Sequence, residues 1–144
     1  MMVMIATDGA LDDRDSHRIF LLLICTQAAH SIEEYVFRLY EVFAPARAVS
    51  GVFSDDPRTG FAVANTLLVA FGFWCYFARV RPARRSATMW MWGWAVLEGA
   101  NGLGHITIAA GRGEYFPGVF TAPVLLLLAL LLSRKLARIA SVME

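Results

Sequence analysis

The sequence predicts an all-α integral membrane protein, a single-domain bundle of four spanning helices, and three observations carry that expectation. The 144 residues are 58% hydrophobic and only 17% charged. Soluble chains average roughly 45–50% apolar even with glycine counted. Four segments approach the roughly 20 apolar residues that a helix needs to cross a hydrocarbon core about 30 Å thick. Glycine and proline punctuate the joints between them, at Pro45 and Gly51 to Gly60, around Pro82, and from Gly111 to Gly118. A net charge of +1, with the basic residues scattered rather than striped, excludes nucleic acid as a partner. Cys25 and Cys75 both sit in apolar runs, form neither a disulfide framework nor a zinc-finger spacing, and read as buried small hydrophobes.

The first span, Ile19 to about Tyr40, opens as an unbroken apolar run to Thr26 and then carries Gln27, His30, Glu33 and Glu34 before Arg38. The second, Phe61 to Ala78, and the fourth, Phe116 to Ser133, contain no charge. The third, Met89 to Ala110, starts with Trp90, Trp92 and Trp94 and contains Glu98, Asn101 and His105. The acidic start, with Asp8, Asp12, Asp13 and Asp15, has no basic region leading into an apolar core and does not read as a cleaved signal peptide. Asp55, Asp56 and Arg58 read as solvated loop.

Basic residues are retained on the cytoplasmic side of a membrane. A cytoplasmic N-terminus puts Arg14, Arg18, Arg79, Arg81, Arg84, Arg85, Arg134, Lys135 and Arg138 inside and leaves Arg38, Arg47, Arg58 and Arg112 outside. Both termini are therefore expected in the cytoplasm. The bias of the basic set toward arginine suggests a bacterial cytoplasmic membrane.

Carboxylates and histidines inside spans are costly, at least ~2.5–3.5 kcal/mol for a charged group at the helix centre, and should face the bundle interior. At about 100° per residue, Glu33 and Glu34 fall about 60° and 40° to either side of His30, with Thr26 and Gln27 in the same sector. On the third span, Asn101 and His105 fall within about 60° and 20° of Glu98, and Met91 and Trp94 extend that stripe inward. Heights agree as well. At ~1.5 Å per residue, His30 and Glu34 stand about 18 and 24 Å above Arg18, while Glu98, Asn101 and His105 stand about 15, 20 and 25 Å above Thr88. The two stripes can meet in one cluster, with Asn65, Tyr115 and Thr121 as its upper wall.

His30-Ser31-Ile32-Glu33-Glu34, followed by His105 and by Tyr115-Phe116-Pro117-Gly118, resembles the family of small integral-membrane proteins called after its HXXEE motif, which also carries a further histidine and a YXPG motif. The resemblance covers roughly Ile19 to Ser133. That family is of uncharacterised function, so the resemblance implies which residues matter (His30, Glu33, Glu34, His105, Tyr115, Pro117 and Gly118) and no chemistry.

Four roles compete for the polar cluster. As interhelical glue it would contribute little, since such bonds average ~0.6 kcal/mol. As a metal site it suits zinc or iron, with imidazole and carboxylate ligands from facing helices of a bundle. In that role His30, Glu34 and His105 are the expected ligands, and Glu33 or Glu98 is the outer partner or general base. Only two helices supply ligands, which favours one ion over two. Without a metal, a desolvated carboxyl can act as general acid toward an alkene, epoxide or ring, with Glu98 beside Asn101, and His30 beside Glu34, as acid and base of an isomerase or cyclase. Transport of a metal ion or proton is the fourth role, although the inner halves of the spans are almost wholly apolar. A pore would then need an oligomer. Pro117 fits the first turn of the fourth helix, whereas the Tyr115 phenol is free to donate to a substrate or carboxylate. The expected function is an enzyme, metal-dependent first and metal-free second, acting on a hydrophobic small molecule within the lipid bilayer.

Overall fold

The computed structural model describes residues 13–142 and contains, among those residues, six α-helices and no strand. The reading of Asp8 and Asp12 lies outside the described residues. Helix α1 (Arg14–Val36) starts at Asp13, whose carboxylate accepts from Ser16 N at 3.3 Å and from Ser16 Oγ at 2.5 Å, satisfying donors that a first helical turn leaves unpaired. Burial raises the Asp13 pKa, but the Ser16 bonds and the charge of Lys135 outweigh it and hold the carboxyl below its usual value.

The first span was expected to continue to Tyr40, but α1 stops at Val36. Arg38 adopts a left-handed conformation, φ 59°, which L-residues cannot propagate as a helix. A short α2 (Leu39–Val42) follows, and Phe43 in extended form leads into α3 (Ala44–Phe53). This corrects the expectation that Pro45 to Gly60 is only a loop. Pro45 lies in the first turn of α3, where its fixed φ and missing N–H start a helix rather than break one. Helix α3 lies against α4 (Pro57–Cys75) so closely that a Cβ on Gly60 would overlap the backbone carbonyl of Ser50.

Helix α4 is capped by Asp56, which accepts from Thr59 N at 2.9 Å, and it continues through a π-helical turn, Tyr76–Val80. The helix thus extends past the expected end of the span at Ala78, through Arg79 to Val80. Helix α5 (Ala87–Arg112) ends at Gly113, φ 66°. Helix α6 (Ala122–Val142) packs along α5 and α1. The fourth span was expected to start at Phe116 with Pro117 in its first turn. Residues 116–121 instead form turns before the helix.

An apolar core fills the lower part of the bundle, with Phe20, Leu23 and Ile24 of α1 meeting Met91 and Trp94 of α5 and Leu132 of α6. A second cluster, Leu39, Tyr40, Phe61 and Phe116, caps the upper end. Cys75 is buried in the lower core, but Cys25 is exposed, contrary to the expectation for both. The outward faces are also apolar, with Leu22, Ile32, Leu67, Leu103, Val124 and Leu127 each about half exposed or more. Among the described residues one helix, Pro57–Val80, is long and apolar enough to cross a membrane, with a mean hydropathy of 1.7.

Candidate metal centre

Between the two apolar clusters lies a polar layer built on the last turns of α1. His30 and Glu34, one turn apart, share an inward face, and His105 of α5 meets them there. The Nε2 atoms of His30 and His105 stand 3.3 and 3.1 Å from the same oxygen, Oε1 of Glu34. The two imidazoles meet edge to face with ring centroids 4.6 Å apart. The three residues are 0%, 6% and 5% exposed, in the order His30, Glu34, His105.

The remote nitrogens of both rings determine which way their protons point. His105 Nδ1 lies 2.7 Å from the carbonyl of Pro117, which can only accept, so that nitrogen carries the proton. His30 Nδ1 lies 2.6 Å from Oγ1 of Thr121, and the Thr121 hydroxyl donates to Oε2 of Glu33 at 2.7 Å. With its one hydrogen committed to a carboxylate, Thr121 accepts from His30. In the neutral imidazoles, then, both Nε2 lone pairs face the Glu34 carboxylate. With both rings neutral, three acceptors converge on one point that calls for a cation, a proton or a metal ion, and His30 Nε2 makes no directed hydrogen bond despite complete burial. Such a convergence is costly without a cation.

The geometry suits a metal ion. The candidate ligand atoms all lie within 4.8 Å of one another. Two ligands about 2.0–2.2 Å from one tetrahedral ion stand roughly 3.3–3.5 Å apart, close to the separations between Glu34 and each histidine. Carbonyl and carboxylate partners on the far nitrogens are what metal-bound histidines characteristically have.

Glu33 is placed quite differently. Its Oε1 accepts from Tyr115 OH at 3.0 Å and from the backbone N–H of Gly118 and Phe120, each at 3.1 Å. Its Oε2 accepts from Thr121 N at 2.9 Å as well as from the Thr121 hydroxyl. One carboxylate thereby holds the loop ahead of α6 and, through Thr121, orients His30. This also explains the late start of α6, because the amides of Gly118, Phe120 and Thr121 turn toward Glu33 instead of starting a helix. Gly118 takes φ 97°, and a Cβ there would come within 2.6 Å of His105 Nδ1 and 2.7 Å of His30 Cε1. Only glycine satisfies both the backbone and the space.

The remaining candidates lie around the centre. Tyr115 is 40% exposed and spends its hydroxyl on Glu33. Burial, then the bond to Glu33 and its charge, pushes the phenol up to about 12. Glu98 is buried and lies outside the group of three candidate ligands. Its only hydrogen-bond partner among the described residues is the amide of Asn101, at a long 3.5 Å to Oε2, and its Oε1 has none. Asn65 accepts from Ser31 Oγ at 2.7 Å, and Ser31 accepts from Gln27 at 3.1 Å.

A cavity of about 570 Å³ reaches the centre from the side, with Glu34, His105, Asn101 and Asn65 at its inner end and α3 and α4 as its walls. A second cavity of about 460 Å³ lies between α1 and α4, lined by Ser31, Tyr35, Thr66 and Ala70 among others. The roles of Thr121 as a bridge and of the Pro117 carbonyl were not legible in the sequence. Thr121 had only a position near the wall to mark it, and a backbone carbonyl gives no residue-type signal.

No curated protein and no solved structure matches the chain. The family described as proteins of unknown function with an HXXEE motif matches residues 21–132, a stretch that contains His30, Glu33, Glu34, His105 and the whole loop that Glu33 holds. With most of its length so matched, the chain belongs to the HXXEE-motif family.

Proposed function

We propose that this protein is a membrane-embedded enzyme that holds one zinc or iron ion at His30, Glu34 and His105 and acts on a lipid-like, membrane-soluble substrate. The observation that carries this reading is that two of the three candidate ligands, Glu34 and His105, line the inner end of a cavity whose walls are mostly apolar, with His30 grouped behind them. A buried structural metal would be closed off by a fourth protein ligand, whereas three protein ligands beside a cavity are the pattern of catalytic sites. When bound, the ion supplies a Lewis acid for an oxygen of the substrate. The chain's own residues do the rest: Thr121 and the Pro117 carbonyl fix the two imidazoles, and the apolar walls exclude water.

The bilayer location is part of the same proposal. Four long helices carry apolar residues on their outward faces while ten of the described polar or charged residues are buried, the reverse of a soluble domain. The distribution of basic residues favours both termini in the cytoplasm. Retention in the membrane pellet after alkaline carbonate extraction is the expected outcome, and release into the supernatant contradicts it.

A second reading keeps one specific observation in its favour. Glu98 is 1% exposed with Oε1 unpartnered, as a general acid awaiting substrate would be in a metal-free isomerase or cyclase. Comparative lipid mass spectrometry on cells expressing wild type, Glu34→Gln and Glu98→Gln tests both. The metal-dependent reading expects a lipid species changed by wild type and restored by Glu34→Gln. Restoration by Glu98→Gln alone favours the metal-free one, and identical profiles in all strains contradict enzymatic action on host lipids.

A further inference from the structure

The cavity that ends at Glu34 and His105 differs from an ordinary crevice between helices in three ways. Its rim is apolar and exposed: Val49 and Phe53 of α3 and Leu67 of α4 are 52%, 45% and 53% exposed. Its inner end is polar, and neither lysine nor arginine lines it anywhere. Of the arginines at this end of the molecule, Arg38, Arg47 and Arg58 line a separate recess with Asp56 and Glu41, and Arg112 lies over the Phe116 ring. The volume, about 570 Å³, lies within the range of about 300–1,000 Å³ that accommodates a single small ligand.

We infer that this cavity binds a single-chain lipid whose head is an uncharged oxygen group, an alcohol, aldehyde or ester, with the chain between α3 and α4 and the oxygen beside Asn65, Asn101 and the His30–Glu34–His105 centre. This names the substrate class of the site and rests on its reading as a lipid-handling centre. An apolar rim admits a molecule from hydrocarbon rather than from water. The two amide side chains can donate to and accept from a neutral oxygen. With no ion at the centre, a phosphate or carboxylate head would be buried beside Glu34 with no lysine or arginine to pair it, and an unpaired buried charge is costly; a bound divalent ion offsets part of that cost, so the head-group selectivity is read on protein stripped of metal. The space holds one chain and not the two of a bilayer phospholipid.

The test uses purified protein in nanodiscs and a hexadecanol bearing a photoreactive diazirine in its chain. Labelled peptides are expected from α3 and α4, and excess hexadecanol should compete. On protein stripped of metal, palmitate and hexadecyl phosphate should compete at least roughly 10-fold less well, since each brings an unpaired charge. Ala64→Trp, in the wall of this cavity only, should abolish labelling, as should Val49→Trp at its exposed rim. Ala70→Trp, in the wall of the second cavity, should leave labelling unchanged. Equal competition by all three amphiphiles, or labelling that survives both Ala64→Trp and Val49→Trp, overturns the inference. Metal content measured on the same samples before stripping separates the two claims. Alcohol-selective labelling of a wild type isolated without metal removes the metal and leaves the lipid site standing, while metal without selective labelling does the opposite.

Discussion

Two adjacent carboxylates organise two different regions. Glu33 faces the loop Tyr115–Thr121 and is saturated, accepting from three backbone amides and two hydroxyls. Glu34, on the next residue, faces the imidazoles of His30 and His105 across 3.3 and 3.1 Å, where the tautomers set by Thr121 and Pro117 leave it no donor. A carboxylate with all its lone pairs engaged serves as a structural clasp. One that converges with two imidazole lone pairs is suited to hold a cation. The two members of the EE pair in HXXEE thus perform separate tasks, one holding the loop and the other completing the centre.

Breaking the clasp should have the largest effect. Glu33→Ala leaves three amides and the Thr121 hydroxyl without their acceptor, at about 1–3 kcal/mol for each buried unsatisfied group. Thermal unfolding in detergent should therefore show a loss of roughly 3 kcal/mol or more. A stability equal to wild type would separate the loop from Glu33. Glu34→Gln should do the reverse: its stability without metal is unchanged or higher, because an unpaired buried charge is gone, while zinc affinity falls beyond the roughly 100-fold typical of outer-shell changes. If Glu34→Gln is as destabilised as Glu33→Ala, the distinction between the two regions fails.

Thr121→Val joins the two regions and sharpens the comparison. It removes the acceptor that orients His30 but keeps every metal ligand, so zinc titration should show a weakening of about 10–100-fold. No change would mean that His30 is held by packing alone. The smallest effect belongs to Tyr115→Phe, which should cost about 1 kcal/mol and leave metal affinity unaltered. Its pH dependence has a defined sign. The phenol's folded value is raised to about 12, above an ordinary value near 10, so its bond to Glu33 contributes fully below pH ~10 and is lost as pH rises toward ~12. Wild type should converge on Tyr115→Phe across that window, and a constant gap would place the phenol outside the clasp.

Much of this arrangement was legible in the sequence because helical periodicity is a strong signal. It put His30 and Glu34 in one sector and gave His105 a matching height, and the structure brings those three together. What was hidden belongs to the backbone. The left-handed Arg38 that ends α1 has no residue-type marker, since arginine rarely takes that conformation. Pro45 and Gly51 read as punctuation, although a proline in a first turn supports a helix, and α3 forms there. Pro117 was read by the same rule and came out the other way. It lies in a turn because Glu33, far away in sequence, claims the amides that follow it, and its part in the centre is played by its carbonyl. Glu98 kept its place on the buried stripe but is not one of the three grouped residues, a distinction that sector and height arithmetic are too coarse to make.

The most direct test of the central claim is elemental analysis by mass spectrometry on protein purified in detergent without a metal-affinity tag or chelator, wild type beside His30→Ala and His105→Ala. Near-stoichiometric zinc or iron in the wild type, lost from both variants, is the predicted result. A wild type free of metal, or variants that retain it fully, would contradict the assignment of His30, Glu34 and His105 as a metal centre.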